Sequence, residues 1–195
     1  MSRGKRVWAW IRRAWLIGGS IALVGFLAWN FVAYRASAEA RAALVGDERV
    51  AVQRGASWWE FQPQSSQSAP VRVGLVFFAG SLVDPAAYAP LARSVAESGR
   101  PVLLVELPWR GAFGGADGPE VLSRARAAMA STPQVERWVI AGHSRGGEVA
   151  GRFVATGHSQ VAGLVLIGTT HPRDIDLSYL TMPVAKVFGT RDGIA

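Results

Sequence analysis

Cysteine is absent from the 195 residues. Disulfides, a thiolate nucleophile and cysteine-based metal sites are therefore excluded. Histidine is scarce, with only His143, His158 and His171. The body of the chain has no basic stripe interleaved with aromatics, which argues against nucleic-acid binding. The net charge of +7 is lopsided: Arg3, Lys5, Arg6, Arg12 and Arg13 supply +5, and the remaining 16 basic and 14 acidic residues leave +2. Residues 14–34 (AWLIGGSIALVGFLAWNFVAY) then lack charge altogether. No internal repeat is present, and no metal or other cofactor is implied.

As a helix, the uncharged 21-residue stretch spans about 31 Å, close to the hydrocarbon thickness of a bilayer. Trp15 at one end and Trp29 and Tyr34 at the other suit the two interfaces. A core helix of a globular domain would show a polar face, and this segment shows none. The reading is a basic cytoplasmic tail (1–13), a transmembrane signal anchor (14–34) and a juxtamembrane linker (35–48) that prolongs the helix. Basic residues ahead of the span keep the N-terminus inside and put the rest outside. The alternative is secretion after cleavage near Ala38, because Ala36-Ser37-Ala38 is a small-residue pattern.

From residue 49 the pattern changes. Residues 49–62 read as two short strands around Gly55, pairing as a hairpin at a sheet edge. Apolar runs at 71–78, 101–107, 137–141, 161–168 and 184–188 read as buried strands. Between them lie helical stretches at 86–98, 119–130 and 148–155. In the first of these, Tyr88, Leu91, Ala92, Val95 and Ala96 form the apolar face. Strands alternating with helices predict an α/β fold with a mainly parallel sheet and flanking helices.

The chemistry centres on Gly142-His143-Ser144-Arg145-Gly146-Gly147. Strand, G-x-S-x-G, helix is the context of a nucleophile elbow. A serine hydroxyl needs exposure and a base to act as a nucleophile. A tight strand-to-helix turn lifts Ser144 clear, and Gly142 and Gly146 let backbone pass close by. Free N–H groups at the start of the helix suit a developing oxyanion. Trp109 and Phe113, in the Gly-rich loop 109–118, suggest an apolar pocket wall.

These residues resemble the α/β-hydrolase superfamily, in particular its small bacterial members with a compact, mostly lidless core. The matching stretches are VFFAGSLVDPAAYAPLA (76–92), RWVIAGHSRGGEVAGRF (137–153), VAGLVLIG (161–168) and VAKVFGTRDG (184–193). The resemblance implies Ser144 as the nucleophile and the Arg145 backbone N–H as one oxyanion donor. It implies the loop at Gly80 and Ser81 as the other donor, and Asp192 as the acid that orients the base. Asp174 and Asp176 are the alternatives for the acid. An apolar residue is more usual at the position of Arg145, whose side chain is expected to favour an acidic substrate or to pair with Glu148.

The family's order is Ser, acid, His, and only Gly193, Ile194 and Ala195 follow Asp192. The expectation is a hydrolase domain (49–195) that is incomplete at its C-terminus, with the base outside this chain and the last strand left as an apolar edge. Of the three histidines, His143 should point away from the Ser144 hydroxyl, because successive strand side chains face opposite ways. His158 should lie about 18 Å off, past the far end of the helix. His171 follows the next strand and is the stand-in base. The implied function is a membrane-anchored serine hydrolase acting on small-molecule carboxylic esters, with its catalytic domain outside a bacterial inner membrane. A non-catalytic anchored binding protein and an acyltransferase are the alternatives. A periplasm-dependent reporter fused after Ala195 is expected to be active and a cytoplasm-dependent one silent; the reverse pattern would contradict the topology.

Overall fold

The computed structural model describes residues 3–64, 72–169 and 174–191. The chain divides into two compact units, Met1–Arg35 and Ala36–Ala195. In the first, α1 (Arg3–Ala33) is one continuous helix. It begins well before the uncharged stretch, so the tail predicted over residues 1–13 is helical from Arg3. Residues Gly4–Ala33 are long and apolar enough to cross a membrane by length and composition.

The helix does not continue through the Ala-rich residues 35–48 as expected. Ser37 adopts an extended backbone (φ −65, ψ 166) and its hydroxyl accepts the Ala40 N–H at 3.1 Å. A serine in that conformation caps a new helix rather than prolonging an old one. The new helix is α2 (Ala38–Ala42). Ala36 and Ala40 are buried with Ala86, so part of the predicted linker is packed into the second unit.

The second unit is a seven-stranded sheet with the order β1-β2-β4-β3-β5-β6-β7. Its strands are β1 (Val50–Arg54), β2 (Trp58–Pro63), β3 (Val73–Phe78), β4 (Val102–Val105), β5 (Arg137–His143), β6 (Val161–Ile167) and β7 (Val184–Val187). The expected hairpin is present: β1 pairs with β2 antiparallel, Val50 opposite Pro63, and β1 is an edge. β2 joins β4 antiparallel. All further pairings are parallel.

Alternation along the strands sends residues to opposite faces. Val76, Phe78, Leu103, Val105, Trp138 and Ile140 meet Val121 and Ala125 of α4 (Pro119–Ala130) and Val149 and Phe153 of α5 (Arg145–Ala155). Phe77, Val102, Leu104 and Ala141 meet Ala89, Ala92 and Ala96 of α3 (Ala89–Glu97) on the other face. Of the predicted face, Ala92 and Ala96 are buried and Tyr88 and Val95 pack against the same core, but Leu91 is exposed and Ala89 is buried instead. Alanines at i, i+3 and i+7 form one stripe and let the helix lie close to the sheet. β7 is exposed along its length, with Val184 and Val187 open to solvent, and among the described residues it pairs only with β6.

Asp84 ties the loops beyond β3 together. Its side chain is 10% exposed. Oδ1 accepts the Ala86 N–H at 3.1 Å and caps the 3-10 turn Pro85–Tyr88. Oδ2 accepts the Ala36 N–H at 3.3 Å and meets Arg41 Nη2 at 2.7 Å and Arg110 Nη2 at 3.4 Å. Removing the carboxylate takes one shared contact from two cations and two N–H groups. Asp84→Ala is expected to cost about 2–3 kcal/mol in urea unfolding, and Asp84→Asn, which keeps an acceptor for the cap, about half as much. A loss below about 0.5 kcal/mol, the scale of an ordinary surface change, would show that Asp84 does not organise these loops.

Candidate active site

The sheet order reverses at β3, which has β4 on one side and β5 on the other. Such a switch opens a crevice at the carboxyl ends of the strands, where ligands of α/β sheets bind. Phe78 and Gly142 are register partners, so the loop after β3 and the turn after β5 leave the sheet side by side. Ala79, Gly80 and Ser81 lie on one, and Ser144 on the other.

Ser144 follows the last residue of β5 and precedes α5. Its backbone is left-handed in φ (51, with ψ −124), a conformation that costs a non-glycine residue of order 1–3 kcal/mol. Neighbouring bonds hold it there: Ser144 N–H donates to Ile167 O at 2.8 Å, and Gly147 N–H to Ser144 O at 2.8 Å. The residue is exposed. Three glycines make the turn possible. A Cβ on Gly142 would lie 2.2 Å from Gly146 O, and one on Gly146 2.3 Å from Phe78 O and 2.4 Å from Ala79 O. On Gly147 it would lie 2.3 Å from Thr169 Cγ2. The third glycine was not singled out from the sequence, although the Gly-Gly pair was its signal.

The first N–H groups of α5 have no partner within the helix, and that of Arg145 is the first of them. The Arg145 side chain bonds both Glu148 and Asp117. Arg152 also reaches Asp117, at 2.8 Å. The hydrogen bonds from Arg152 and then Arg145 hold the Asp117 carboxyl below its ordinary range. The bond to Asp117 in turn raises the Arg145 guanidinium. The expected pairing with Glu148 is therefore present, joined by one that sequence reasoning missed. Asp117 lies 28 residues away and fastens the 109–118 loop to the elbow helix.

The other end of that loop is fastened to the β3 side. Leu82 N–H donates to Arg110 O at 2.7 Å, and Arg110 meets Asp84. On the same loop Trp109 and Phe113 are each 78% exposed and have φ of 51 and 50.

On the β3 loop, Gly80 N–H donates to the Tyr88 hydroxyl at 3.1 Å. Of the loop at Gly80 and Ser81 expected to supply a donor, the Gly80 N–H is thus engaged in this structure. Among the described residues nothing accepts from Ser81 N–H. His143 Nδ1 is 2.9 Å from the same Tyr88 hydroxyl, and His143 makes no hydrogen bond to Ser144 among the described residues. His158 stands beyond the last residue of α5, stacked on Phe153 with centroids 5.8 Å apart. His171 and Asp192 lie outside the described residues. Asp174 is exposed, and Asp176 accepts the Ser178 N–H at 2.8 Å.

A model of the alpha/beta hydrolase family matches residues 74–195. The chain belongs to that family. Among solved structures, it is similar to a dienelactone hydrolase-like promiscuous phosphotriesterase, P91, from metagenomic libraries. That likeness has a TM-score of 0.55 and 17% identity, over 75% of this chain and 70% of P91. It is also similar to a bacterial heroin esterase, with a TM-score of 0.50 and 20% identity, over 63% of this chain. In that case the chain spans 45% of the esterase's length. Comparison with curated protein sequences gave no match. At such identities the likeness speaks for the fold of this alpha/beta hydrolase.

Within this family member, the backbone contact at Gly146 makes a sharp expectation. Gly146→Ala, whose methyl would meet two carbonyl oxygens, should lower stability by at least about 2 kcal/mol. Gly118→Ala, at the N-cap of α4 with nothing within 4 Å of its Cβ, should lose less than about 1 kcal/mol. Both are read by denaturant titration; equal effects would contradict the packing account.

Proposed function

We propose that this alpha/beta hydrolase is a serine hydrolase of carboxylic esters, anchored in a bacterial inner membrane by α1, with its hydrolase domain outside. The observation that carries the proposal is Ser144, exposed on a strained strand-to-helix turn beside the loop after β3. In the reaction, Ser144 Oγ bonds to the ester carbonyl carbon while its proton passes to a histidine base. The tetrahedral oxyanion is met by backbone N–H groups. The C–O bond to the alcohol then breaks, and the base returns the proton to the leaving oxygen. Water repeats the sequence on the acyl-serine and releases the acid.

Asp192 is proposed to orient the base. His143 and His158 are not proposed for the base itself, since one is bonded to Tyr88 and the other stands beyond the far end of α5. His171 remains the candidate within this sequence. Trp109 and Phe113, on the loop fastened to both sides of the crevice, are proposed as an apolar wall for the substrate.

Labelling of the whole protein by a fluorophosphonate, followed by intact-mass measurement, tests this reading. One adduct is expected on the wild type and none on Ser144→Ala at unchanged thermal stability. Asp192→Asn should slow labelling by at least about a hundredfold. Labelling that persists in Ser144→Ala would move the chemistry elsewhere, with Ser81 the first residue to examine. A folded wild type that resists labelling would favour a non-catalytic binding protein.

A further inference from the structure

Tyr88 joins the two strand ends that carry the candidate site. Its ring packs against Phe77, with centroids 5.1 Å apart, and against His143, at 5.9 Å. Its hydroxyl lies 3.1 Å from Gly80 N and 2.9 Å from His143 Nδ1. Gly80 belongs to the loop after β3, and His143 is the last residue of β5, directly before Ser144. The fit is tight: a Cβ on Gly80 would stand 3.0 Å from both the hydroxyl and Nδ1.

Gly80 N–H can only donate, so the Tyr88 oxygen accepts. Burial raises the phenol above its ordinary range, opposed by the Gly80 N–H, so the hydroxyl keeps its proton near neutral pH. Where His143 Nδ1 carries no proton the hydroxyl donates to it, and where it carries one the second lone pair of the oxygen accepts; either way the contact joins the two strand ends.

We infer that Tyr88 is a positioning residue for the oxyanion site, holding Gly80 N–H out of the reaction and tying its loop to the residue before Ser144. The donors left to meet the oxyanion are Ser81 N–H on one strand end and Arg145 N–H on the other. This inference rests on Ser144 being the nucleophile. An oxyanion site works only when both donors stand about 2.7–3.1 Å from the developing charge. The loop after β3 has neither strand nor helix to fix it until the turn at Pro85–Tyr88. Tyr88, at the end of that turn, reaches back and fixes it. A loop that drifts loses bonds that strengthen in the transition state, so the loss falls on kcat rather than on KM.

Tyr88→Phe keeps the ring and removes the hydroxyl. With a short activated ester and the whole protein in detergent, kcat is expected to fall about tenfold with KM within about twofold. His143→Asn keeps a polar atom near the position of Nδ1 and should retain most of the rate, whereas His143→Leu should resemble Tyr88→Phe. Amide exchange followed by NMR should show Gly80 N–H exchanging at least about tenfold faster in Tyr88→Phe. An unchanged kcat, a loss confined to KM or thermal stability, or a His143→Asn variant as slow as His143→Leu would overturn the inference. A wild type without Ser144-dependent turnover would overturn the nucleophile reading itself. The exchange measurement then decides the relay alone: faster Gly80 exchange upholds it, and unchanged protection overturns it.

Discussion

Where β3 and β5 leave the sheet, main chain lies directly on main chain. Gly146 has the carbonyl oxygens of Phe78 and Ala79 where a side chain would begin, and Gly142 has Gly146 O. This approach lets the first turn of α5 start beside the loop after β3, and so brings Ser144 and Ser81 to one crevice. Interiors are packed too densely to absorb an extra methyl group at such contacts. The strained φ of Ser144 is maintained by the same neighbourhood, through its bonds to Ile167 and Gly147. Both the exposure of the hydroxyl and the position of the Arg145 N–H at the start of α5 depend on that arrangement.

Around this contact polar groups tie the loops to one another. Asp84 gathers Ala36, Arg41, Ala86 and Arg110. Asp117 takes Arg145 and Arg152. Tyr88 bridges Gly80 and His143. Charged pairs at half-exposed positions contribute little to stability, and the Asp117 cluster is of that kind. Its consequence is geometric: the 109–118 loop is fastened to the elbow helix at one end and, through Arg110, to the β3 side at the other. The exposed Phe113 lies between those attachments, and the exposed Trp109 directly precedes the first.

The strands and the elbow were legible because their signals are local. Apolar runs of four to eight residues announce buried strands, and G-x-S-x-G needs only its two flanks. The edge hairpin around Gly55 was legible for the same reason. Contacts between distant residues were not. Tyr88 and His143 are 55 residues apart, and Tyr88 read as one more apolar position on a helix face. Nothing in the segment of Gly80 shows that a tyrosine eight residues later returns to occupy its N–H. Leu91 was assigned to the core because periodicity gives the width of a stripe but not which edge the sheet covers. At Ser37 a local capping signal lay inside an alanine-rich stretch whose helix propensity pointed the other way.

The central claim is that the ends of β3 and β5 together present a nucleophile and two backbone donors. The crystal structure of the whole protein after reaction with a fluorophosphonate measures this directly. The account requires phosphorus bonded to Ser144 Oγ and a phosphonyl oxygen within about 2.7–3.1 Å of both Ser81 N and Arg145 N, with Gly80 N–H still on Tyr88. A phosphonyl oxygen bonded to Gly80 N–H, or turned to solvent away from both donors, would contradict it.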